Sequence, residues 1–338
     1  MASAQLITWR GALDSNQPST RSMTNPTQGI EQAPGLAVNA ARFRRHLRAS
    51  GLSAKTESTY LQGVDHLAAF LAERDLPTEP GAITREHLTE WLIAMRAAGR
   101  KPATIANRYR SVQQFFKWAA DEGLVERSPM ATMRPPRIPE TPPPVLRDEQ
   151  LTRLLRAVEA DKSFAGRRDA ALIRVFIASG ARLAEVAGLR WTPTEPATND
   201  VDLDSGLIRV VGKGGRERPI YVGAKAVRAL DRYLFDHRAK HRLAGQPWLW
   251  LGPKGRFTAS GIAQMLRTRG EAVELPGLHP HAFRHAWAHA SLADGMQEGE
   301  VMMLAGWRSR EMLRRYAAST ATERALDAAR RSGLADRL

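Results

Sequence analysis

The sequence predicts a mainly α protein of two domains, a four-helix domain followed by a mixed α+β domain with a small β-hairpin. Three observations lead to this prediction. Apolar residues recur at helical spacing over residues 36–130 and again after residue 147, a dense run of prolines separates these stretches, and only two short runs have β character. At 338 residues and 43% hydrophobic content, the chain is long enough to bury a core in each domain.

Residues 1–35 are rich in Ser, Thr, Gln and Pro and lack apolar periodicity, so we expect a disordered lead-in. Four helices are expected within residues 36–130. Ser53 and Thr84 are suited to cap the second and third, Gly99 ends the third, and Pro102 fits the first turn of the fourth. The apolar positions predicted to face the core are Phe43 and Leu47, then Tyr60, Val64, Leu67 and Leu71, then Leu88, Trp91, Leu92 and Met95, and finally Ile105, Tyr109, Val112 and Phe116.

Residues 131–146 contain the proline run and predict a semi-rigid linker, because proline at this density removes the backbone donors that helices and sheets need. The second domain is predicted to span residues 147–319. It begins with an amphipathic helix, then an apolar helix around residues 170–178, and then a hairpin whose glycine-rich tip separates the β-type runs 206–211 and 218–222. A tail helix is expected over residues 320–338.

Charge and cysteine content narrow the functional class. The chain has 50 Lys and Arg residues against 35 Asp and Glu residues, and its net charge of +15 indicates a polyanionic partner. The alternative is a basic enzyme with a merely cationic surface. The absence of cysteine excludes a disulfide scaffold, a cysteine zinc site and a thiol nucleophile. We expect a cytoplasmic protein without membrane contact, because no apolar run approaches the ~20 residues of a membrane span and no secretory signal is visible.

Two local clusters in the first half of the second domain carry chemically useful side chains. Arg182 and Glu185 are three residues apart and share a helical face, although such a pair is usually a surface ion pair. Lys213 and Arg216 lie at the glycine-rich hairpin tip, where a lysine is usually only solvated. The tip lacks the G-x-x-x-x-G-K-[ST] pattern and precedes a strand, so nucleotide binding is rejected.

Two further clusters follow. His281, Arg284 and His285 share a helical face. His289 lies one turn further on, so the three histidines could also be read as ligands of a metal ion. No acidic residue is interleaved among these histidines, so we expect no metal. Trp307 and Tyr316 are nine residues apart, and taken singly such aromatic residues are usually part of a core.

Taken together and in this order, the clusters resemble the boxes of the tyrosine recombinases, also called the lambda-integrase or phage integrase family. GARLAEVAGLRW resembles the first box, GKGGRERPIYV the lysine hairpin, HPHAFRHAWAHASLADG the second box, and LAGWRSREMLRRYA the box that ends at the nucleophile. The resemblance implies a SAM-like core-binding domain at residues 36–130 and a catalytic domain of the DNA breaking–rejoining type. Residues 1–35 are short and polar, which favours the simple, Xer-like type without an arm-binding domain.

The resemblance also assigns roles by position. The expected catalytic residues are Arg182, Lys213, His281, Arg284, Trp307 and Tyr316, with Glu185 and His285 in supporting roles. The sequence departs from the family pattern at two positions. The first box reads SGAR, with a small apolar residue before the arginine, and Trp307 stands where the family usually has histidine. An indole N–H is still a donor that can reach a phosphate oxygen.

This set fits phosphoryl transfer without metal, ATP or any other cofactor. Two guanidinium groups supply positive charge where the transition state accumulates negative charge. Tyrosine must lose its proton as it attacks, and His281 is the available helper, although the residues leave open which group accepts that proton. Lys213 is suited to protonate the departing 5′-oxygen. The 3′-phosphotyrosyl polarity of the intermediate is taken from the resemblance.

The resemblance implies a site-specific recombinase for integration, excision or resolution of DNA elements. Its expected partners are double-stranded DNA with paired inverted half-sites, a homotetramer of this chain, and accessory proteins in some contexts, within the nucleoid. Two domains joined by a linker would close around the duplex, and the tail 320–338 would dock on a neighbouring protomer. Two alternatives are a type IB topoisomerase-like relaxing enzyme and a catalytically silent DNA-binding accessory protein. Candidate DNA-contacting residues are Lys55, Arg108, Arg110, Gln114, Lys117 and Arg216.

Overall fold

The computed structural model describes residues 34–139, 145–212, 214–307, 309–311 and 313, together with 326, 329 and 330. The chain divides into two compact units between residues 139 and 140, inside the proline-rich segment. Each unit has its own hydrophobic core. Within the described residues, no helix is long and apolar enough to cross a membrane.

The described part of the N-terminal unit contains four α-helices, as the sequence predicts: α1 (Leu36–Ala49), α2 (Ala54–Ala72), α3 (Arg85–Ala97) and α4 (Pro102–Asp121). Their ends follow from local signals. The Ser53 hydroxyl accepts a hydrogen bond from the Thr56 backbone N–H at 3.2 Å, and the Thr84 hydroxyl accepts one from that of His87 at 3.4 Å. Gly99, with φ 68°, ends α3 in the left-handed conformation.

The core of this unit is formed by residues of all four helices and includes several large aromatic side chains. Phe43, Trp91, Tyr109 and Phe116 are buried, and the Tyr109 hydroxyl donates to the Met133 carbonyl at 2.9 Å. That bond ties the segment after α4 back to the helices.

The C-terminal unit is built around one buried helix. Its helices are α5 (Asp148–Ala160), α6 (Phe164–Ser179), α7 (Leu183–Ala187), α8 (Gly223–Asp231), α9 (Ala259–Glu271), α10 (Pro280–Ala293) and α11 (Glu298–Ala305). A π-helical turn, Arg232–Arg238, continues α8. Helix α6 packs against α5, α8 and α10, and its residues from Ala170 to Ile173 are all buried. It is therefore the central helix of this unit, and its burial agrees with its apolar sequence.

A three-stranded antiparallel sheet contains the predicted hairpin. Its strands are β1 (Val201–Asp202), β2 (Leu207–Val211) and β3 (Glu217–Tyr221), in the order β1-β2-β3. In the register of the hairpin, Ile208 pairs with Ile220 and Val210 with Arg218. A second, two-stranded antiparallel sheet pairs β4 (Leu251–Gly252) with β5 (Gly255–Arg256). The sequence does not predict these strands or β1, because a strand of two residues shows no periodicity.

Candidate active site

The first arginine box follows a sharp turn at the end of α6. Gly180 closes α6 with φ 55°, and a Cβ on this residue would lie 2.5 Å from the ring of Trp287 in α10. Only glycine fits both the backbone conformation and the close approach. The turn brings the chain against α10 just before Arg182, the residue that precedes the first turn of α7.

Arg284, on α10, is almost fully buried at 1% exposure. One of its terminal nitrogens, Nη1, donates to the Gly180 carbonyl at 2.8 Å, and Nη2 donates to the Ala305 carbonyl at 2.6 Å. Its Cζ lies 4.9 Å from the centroid of the Trp307 ring. These contacts fix the guanidinium between the end of α6 and the end of α11.

Arg182 lies at the same end of α11 but remains accessible, with 39% of its side chain exposed. Its Nη2 donates to the Gly306 carbonyl at 2.9 Å, and its Nη1 donates to Glu185 Oε1 at 2.9 Å. The two arginines therefore bind the consecutive carbonyls of Ala305 and Gly306. A helix C-terminus favours positive charge, because its last carbonyls carry partial negative charge.

Glu185 joins this cluster from α7. Its side chain is 2% exposed, and its Oε2 accepts a hydrogen bond from the Arg182 backbone N–H at 2.8 Å. Burial opposes ionisation, but hydrogen bonds from Arg218 and Arg182 outweigh it, so the pKa of Glu185 lies below its usual range. Glu185 is therefore a buried carboxylate rather than half of a surface ion pair.

Arg218 is a site residue that the sequence analysis did not single out. Its Nη1 and Nη2 donate to Glu185 Oε1 and Oε2 at 2.8 and 2.9 Å, and its Nε donates to the Leu304 carbonyl at 2.8 Å. A signal for it does exist in the sequence. Arg218 is two residues from the buried Ile220 on β3, so both face the interior, and an arginine on the inner face of a strand indicates a buried partner.

His281 and His285 lie one turn apart on α10. Their ring centroids are 4.7 Å apart, with the rings edge to face. Burial and then the nearby charge of Arg284 lower the pKa of His281, although this residue keeps contact with solvent. Burial and then His281 lower the pKa of His285 to about 4. Both imidazoles are therefore neutral near pH 7, the state in which His281 is able to accept a proton.

Trp307 is a core residue in this conformation, at 6% exposure. It packs in a small cluster between α10 and α11, and its indole Nε1 is buried. The other buried members of that cluster are Ala288, Leu292, Val301, Ala305 and Leu313. Direct donation from Nε1 to a phosphate therefore requires a change in this packing.

Lys213 and Tyr316 lie outside the described residues, and so do all but Leu326, Ala329 and Arg330 of the tail 320–338. The hairpin on either side of Lys213 is described. The Gly212 N–H donates to the Arg216 carbonyl at 2.7 Å, and Gly214 and Gly215 have φ values of 79° and 73°. The two glycines after Lys213 therefore adopt the left-handed conformation that suits a glycine-rich hairpin tip.

The candidate DNA-contacting residues divide into two groups. Arg110, Gln114 and Lys117 are exposed on α4, and Lys55 and Arg216 are exposed on α2 and at the hairpin. Arg108 differs, because it is half-buried and its Nη1 lies 3.6 Å from Met95 Sδ on α3. Among the described residues, no group of three His, Asp or Glu side chains is placed to hold a metal ion.

Two known domain families match this chain. Residues 144–323 match the phage integrase family, and residues 40–126 match the N-terminal SAM-like domain of phage integrases. The chain belongs to the phage integrase family of tyrosine recombinases. It is therefore an enzyme for site-specific recombination, which cuts and rejoins DNA with a tyrosine nucleophile.

Curated relatives support the same assignment. The chain is 32% identical to the tyrosine recombinase XerC of Mycobacterium sp. (strain JLS) over 262 residues, which is 76% of this chain and 85% of the relative. It is also 32% identical to XerC of Mycobacterium tuberculosis (strain ATCC 25177 / H37Ra) over 265 residues, 77% of this chain and 86% of the relative.

Solved structures share the fold. A lambda integrase dimer bound to a core site matches with a TM-score of 0.65 at 16% identity, covering 84% of this chain and 95% of that one. The Tn1549 transposon integrase in complex with circular intermediate DNA matches with a TM-score of 0.62 at 21% identity, covering 83% and 94%. A lambda integrase tetramer bound to a Holliday junction matches with a TM-score of 0.63 at 17% identity, covering 86% and 83%.

Proposed function

We propose that this recombinase cleaves DNA with Tyr316 while Arg182 and Arg284 hold the scissile phosphate. The observation that carries this proposal is the attachment of both guanidinium groups to the consecutive carbonyls of Ala305 and Gly306. Tyr316 follows Gly306 by ten residues in the sequence. The turn that orients the two arginines thus also begins the segment that carries the nucleophile.

The proposed reaction needs no metal and no ATP. The Tyr316 oxygen attacks phosphorus, the bond to the 5′-oxygen breaks, and a 3′-phosphotyrosyl link forms. Lys213 gives a proton to the departing 5′-oxygen, and His281, neutral at pH 7, is the candidate to take the tyrosine proton. Attack by a 5′-hydroxyl of another strand reverses these steps, so the energy of the phosphodiester bond is conserved.

The arginines suit this reaction because their charges are placed before the substrate arrives. Arg284 is buried and fixed by two carbonyls, whereas Arg182 keeps part of its guanidinium exposed to a ligand. Preorganised positive charge stabilises the charge that develops on the phosphate oxygens, although direct donation from the buried Arg284 requires a change in packing, as it does for Trp307. In this proposal Glu185 and His285 support the site, and Trp307 packs against Arg284 and orients it.

DNA binding in this proposal depends mainly on phosphate contacts made by the strongly basic chain. The exposed Arg110, Gln114 and Lys117 on α4 are the candidates for contacts of the N-terminal unit, with Lys55 and Arg216 as further phosphate contacts. Arg108 is less suited, because burial takes part of its side chain out of reach.

The proposed assembly is a homotetramer on two DNA sites, each with paired inverted half-sites, in the cytoplasm and together with accessory proteins where the reaction requires them. The lambda integrase tetramer bound to a Holliday junction supports this assembly through its similar fold. In this proposal the tail 320–338 docks on a neighbouring protomer and couples cleavage to assembly.

The test is covalent capture on a nicked suicide substrate. Wild-type protein is expected to form a denaturant-resistant DNA adduct, and Tyr316→Phe is expected to bind the same DNA without forming one. Excess EDTA should leave adduct formation unchanged. An adduct formed by the Phe variant would refute the assignment of the nucleophile, and loss of activity in EDTA would refute the metal-free reaction. Strand exchange between two sites, rather than relaxation of one plasmid, separates the recombinase from a topoisomerase-like enzyme.

A further inference from the structure

The carboxylate of Glu185 contacts two arginines at once. Its oxygens accept hydrogen bonds from Arg182 Nη1 at 2.9 Å and from both terminal nitrogens of Arg218, at 2.8 and 2.9 Å. The pair with Arg218 is bidentate, whereas the pair with the Arg182 side chain is a single hydrogen bond. Bidentate pairs are the stronger ones, so Arg218 is the principal counter-ion of Glu185.

The charges of this cluster have a consequence for Arg182. Glu185 and Arg218 are both largely buried, at 2% and 15% side-chain exposure, whereas Arg182 is 39% exposed. Two arginines and one carboxylate leave a net charge of +1, and the accessible part of the cluster is Arg182. If Arg218 were absent, Glu185 would neutralise Arg182 itself, and the net charge facing a phosphate would be zero.

Arg218 also connects three parts of the site. It lies on β3, five residues after Lys213 in the hairpin, and its Nε donates to the Leu304 carbonyl at 2.8 Å. Leu304, Ala305 and Gly306 thus accept hydrogen bonds from Arg218, Arg284 and Arg182 in turn. The hairpin that carries Lys213 is thereby fixed to the end of α11.

We propose that Arg218 is a positioning residue for DNA cleavage, which neutralises Glu185 so that Arg182 keeps its positive charge for the scissile phosphate. Its action is indirect, since each of its three side-chain nitrogens donates a hydrogen bond to Glu185 or Leu304. This inference rests on the proposed function, in which Arg182 binds that phosphate. It accounts for a buried acidic residue in a site that must bind an anion.

The decisive experiment is charge compensation between two positions. Arg218→Met removes the counter-ion and sets the net charge of the cluster to zero, and single-turnover cleavage of the suicide substrate is expected to fall about 100-fold. Arg218→Met combined with Glu185→Gln returns the net charge to +1. In the double variant, cleavage is expected to recover to within about 10-fold of wild type, the range set by lost hydrogen bonds.

A purely structural role for Arg218 predicts the opposite order. Removing a second member of a hydrogen-bonded network would then leave cleavage as slow as in Arg218→Met or slower. The matched control is Arg209→Met on β2, which breaks a guanidinium–carboxylate pair with Asp200 at 2.9 Å and is expected to leave cleavage within about 2-fold of wild type. Thermal unfolding and half-site DNA binding are measured on every variant.

The outcomes separate this inference from the proposed function. If the wild-type protein forms no adduct, the proposed function fails and this inference fails with it. If the wild type forms the adduct but Arg218→Met is unaffected, or the double variant is no faster than Arg218→Met, the inference alone fails. Should the methionine variant not fold, the same comparison is made with Arg218→Gln, whose amide is still able to donate to Glu185.

Discussion

Replacing Gly180 with alanine tests whether the turn after α6 is as restricted as its geometry implies. The residue has φ 55°, a conformation that costs an L-residue about 1–2 kcal/mol. The added Cβ would also lie 2.5, 2.7 and 3.0 Å from three ring atoms of Trp287. Overpacking of this kind typically costs about 1–3 kcal/mol, so we expect Gly180→Ala to lower the free energy of unfolding by about 2–5 kcal/mol.

Gly277→Ala is the matched control in the same unit. Gly277 has φ 76°, but nothing lies within 4 Å of an added Cβ there, so only the backbone cost of about 1–2 kcal/mol applies. Urea denaturation of both variants measures the difference, which reports the clash with Trp287. Equal destabilisation of the two variants would show that Trp287 moves aside at no cost and that the reasoning is wrong.

The same substitution is expected to affect cleavage. The Gly180 carbonyl accepts the hydrogen bond from Arg284 Nη1 at 2.8 Å, so a shift of this turn displaces a guanidinium that we propose binds the scissile phosphate. We expect single-turnover cleavage by Gly180→Ala to fall at least about 10-fold under conditions where the protein is folded, since one misplaced donor facing the transition state typically costs more than that. Gly277→Ala should retain wild-type cleavage.

Three further predictions concern the rest of the site. Lys213→Ala should slow cleavage of a normal 5′-oxygen substrate far more than cleavage of a 5′-bridging phosphorothiolate, because a thiolate leaves without a proton; equal slowing would make Lys213 a phosphate-binding residue instead. Truncation after Ser319 should preserve binding to one half-site but weaken cooperative filling of the second and abolish strand exchange, and gel-shift titration that shows unchanged cooperativity would contradict the role of the tail. The pKa of His285 is lowered to about 4 from an ordinary value of about 6.5, so the unfolded chain binds a proton at this residue more readily than the folded protein does. The contribution of His285 to the free energy of unfolding is therefore complete above pH 6.5, and about 3 kcal/mol of it is lost as the pH falls to 4. Urea denaturation across this range should show a smaller loss for His285→Gln, and an unchanged pH dependence would count against the buried, neutral imidazole.

The amino-acid sequence was sufficient for features that depend on neighbours along the chain. The caps at Ser53 and Thr84, the helix end at Gly99 and the two strands of the hairpin are all present, because each requires only residues within a few positions. The apolar composition of residues 170–178 agrees with the burial of α6, whereas its central position was seen only in the structure. The order of the family boxes was enough to identify the family and to nominate Arg182, His281 and Arg284.

The sequence was less informative where a residue's surroundings come from distant segments. Arg108 was a candidate for DNA contact but is half-buried and contacts Met95 on α3. Trp307 was expected to offer its indole N–H but is buried between α10 and α11. Helical spacing tells which side chains share a face. It does not tell how far a neighbouring helix covers that face.

Only the tertiary structure decided which distant residues are hydrogen-bonded to each other in the site. Arg218 meets Glu185 across 33 residues of sequence, and Arg182 reaches Gly306 across 124. No local pattern encodes such pairs, because they exist only after the hairpin, α7 and the end of α11 have packed together. Burial changes what the Glu185 carboxylate requires. In an isolated helix it would be half of a surface ion pair, but in the folded protein it is a buried charge that needs a counter-ion, and the fold places Arg218 beside it.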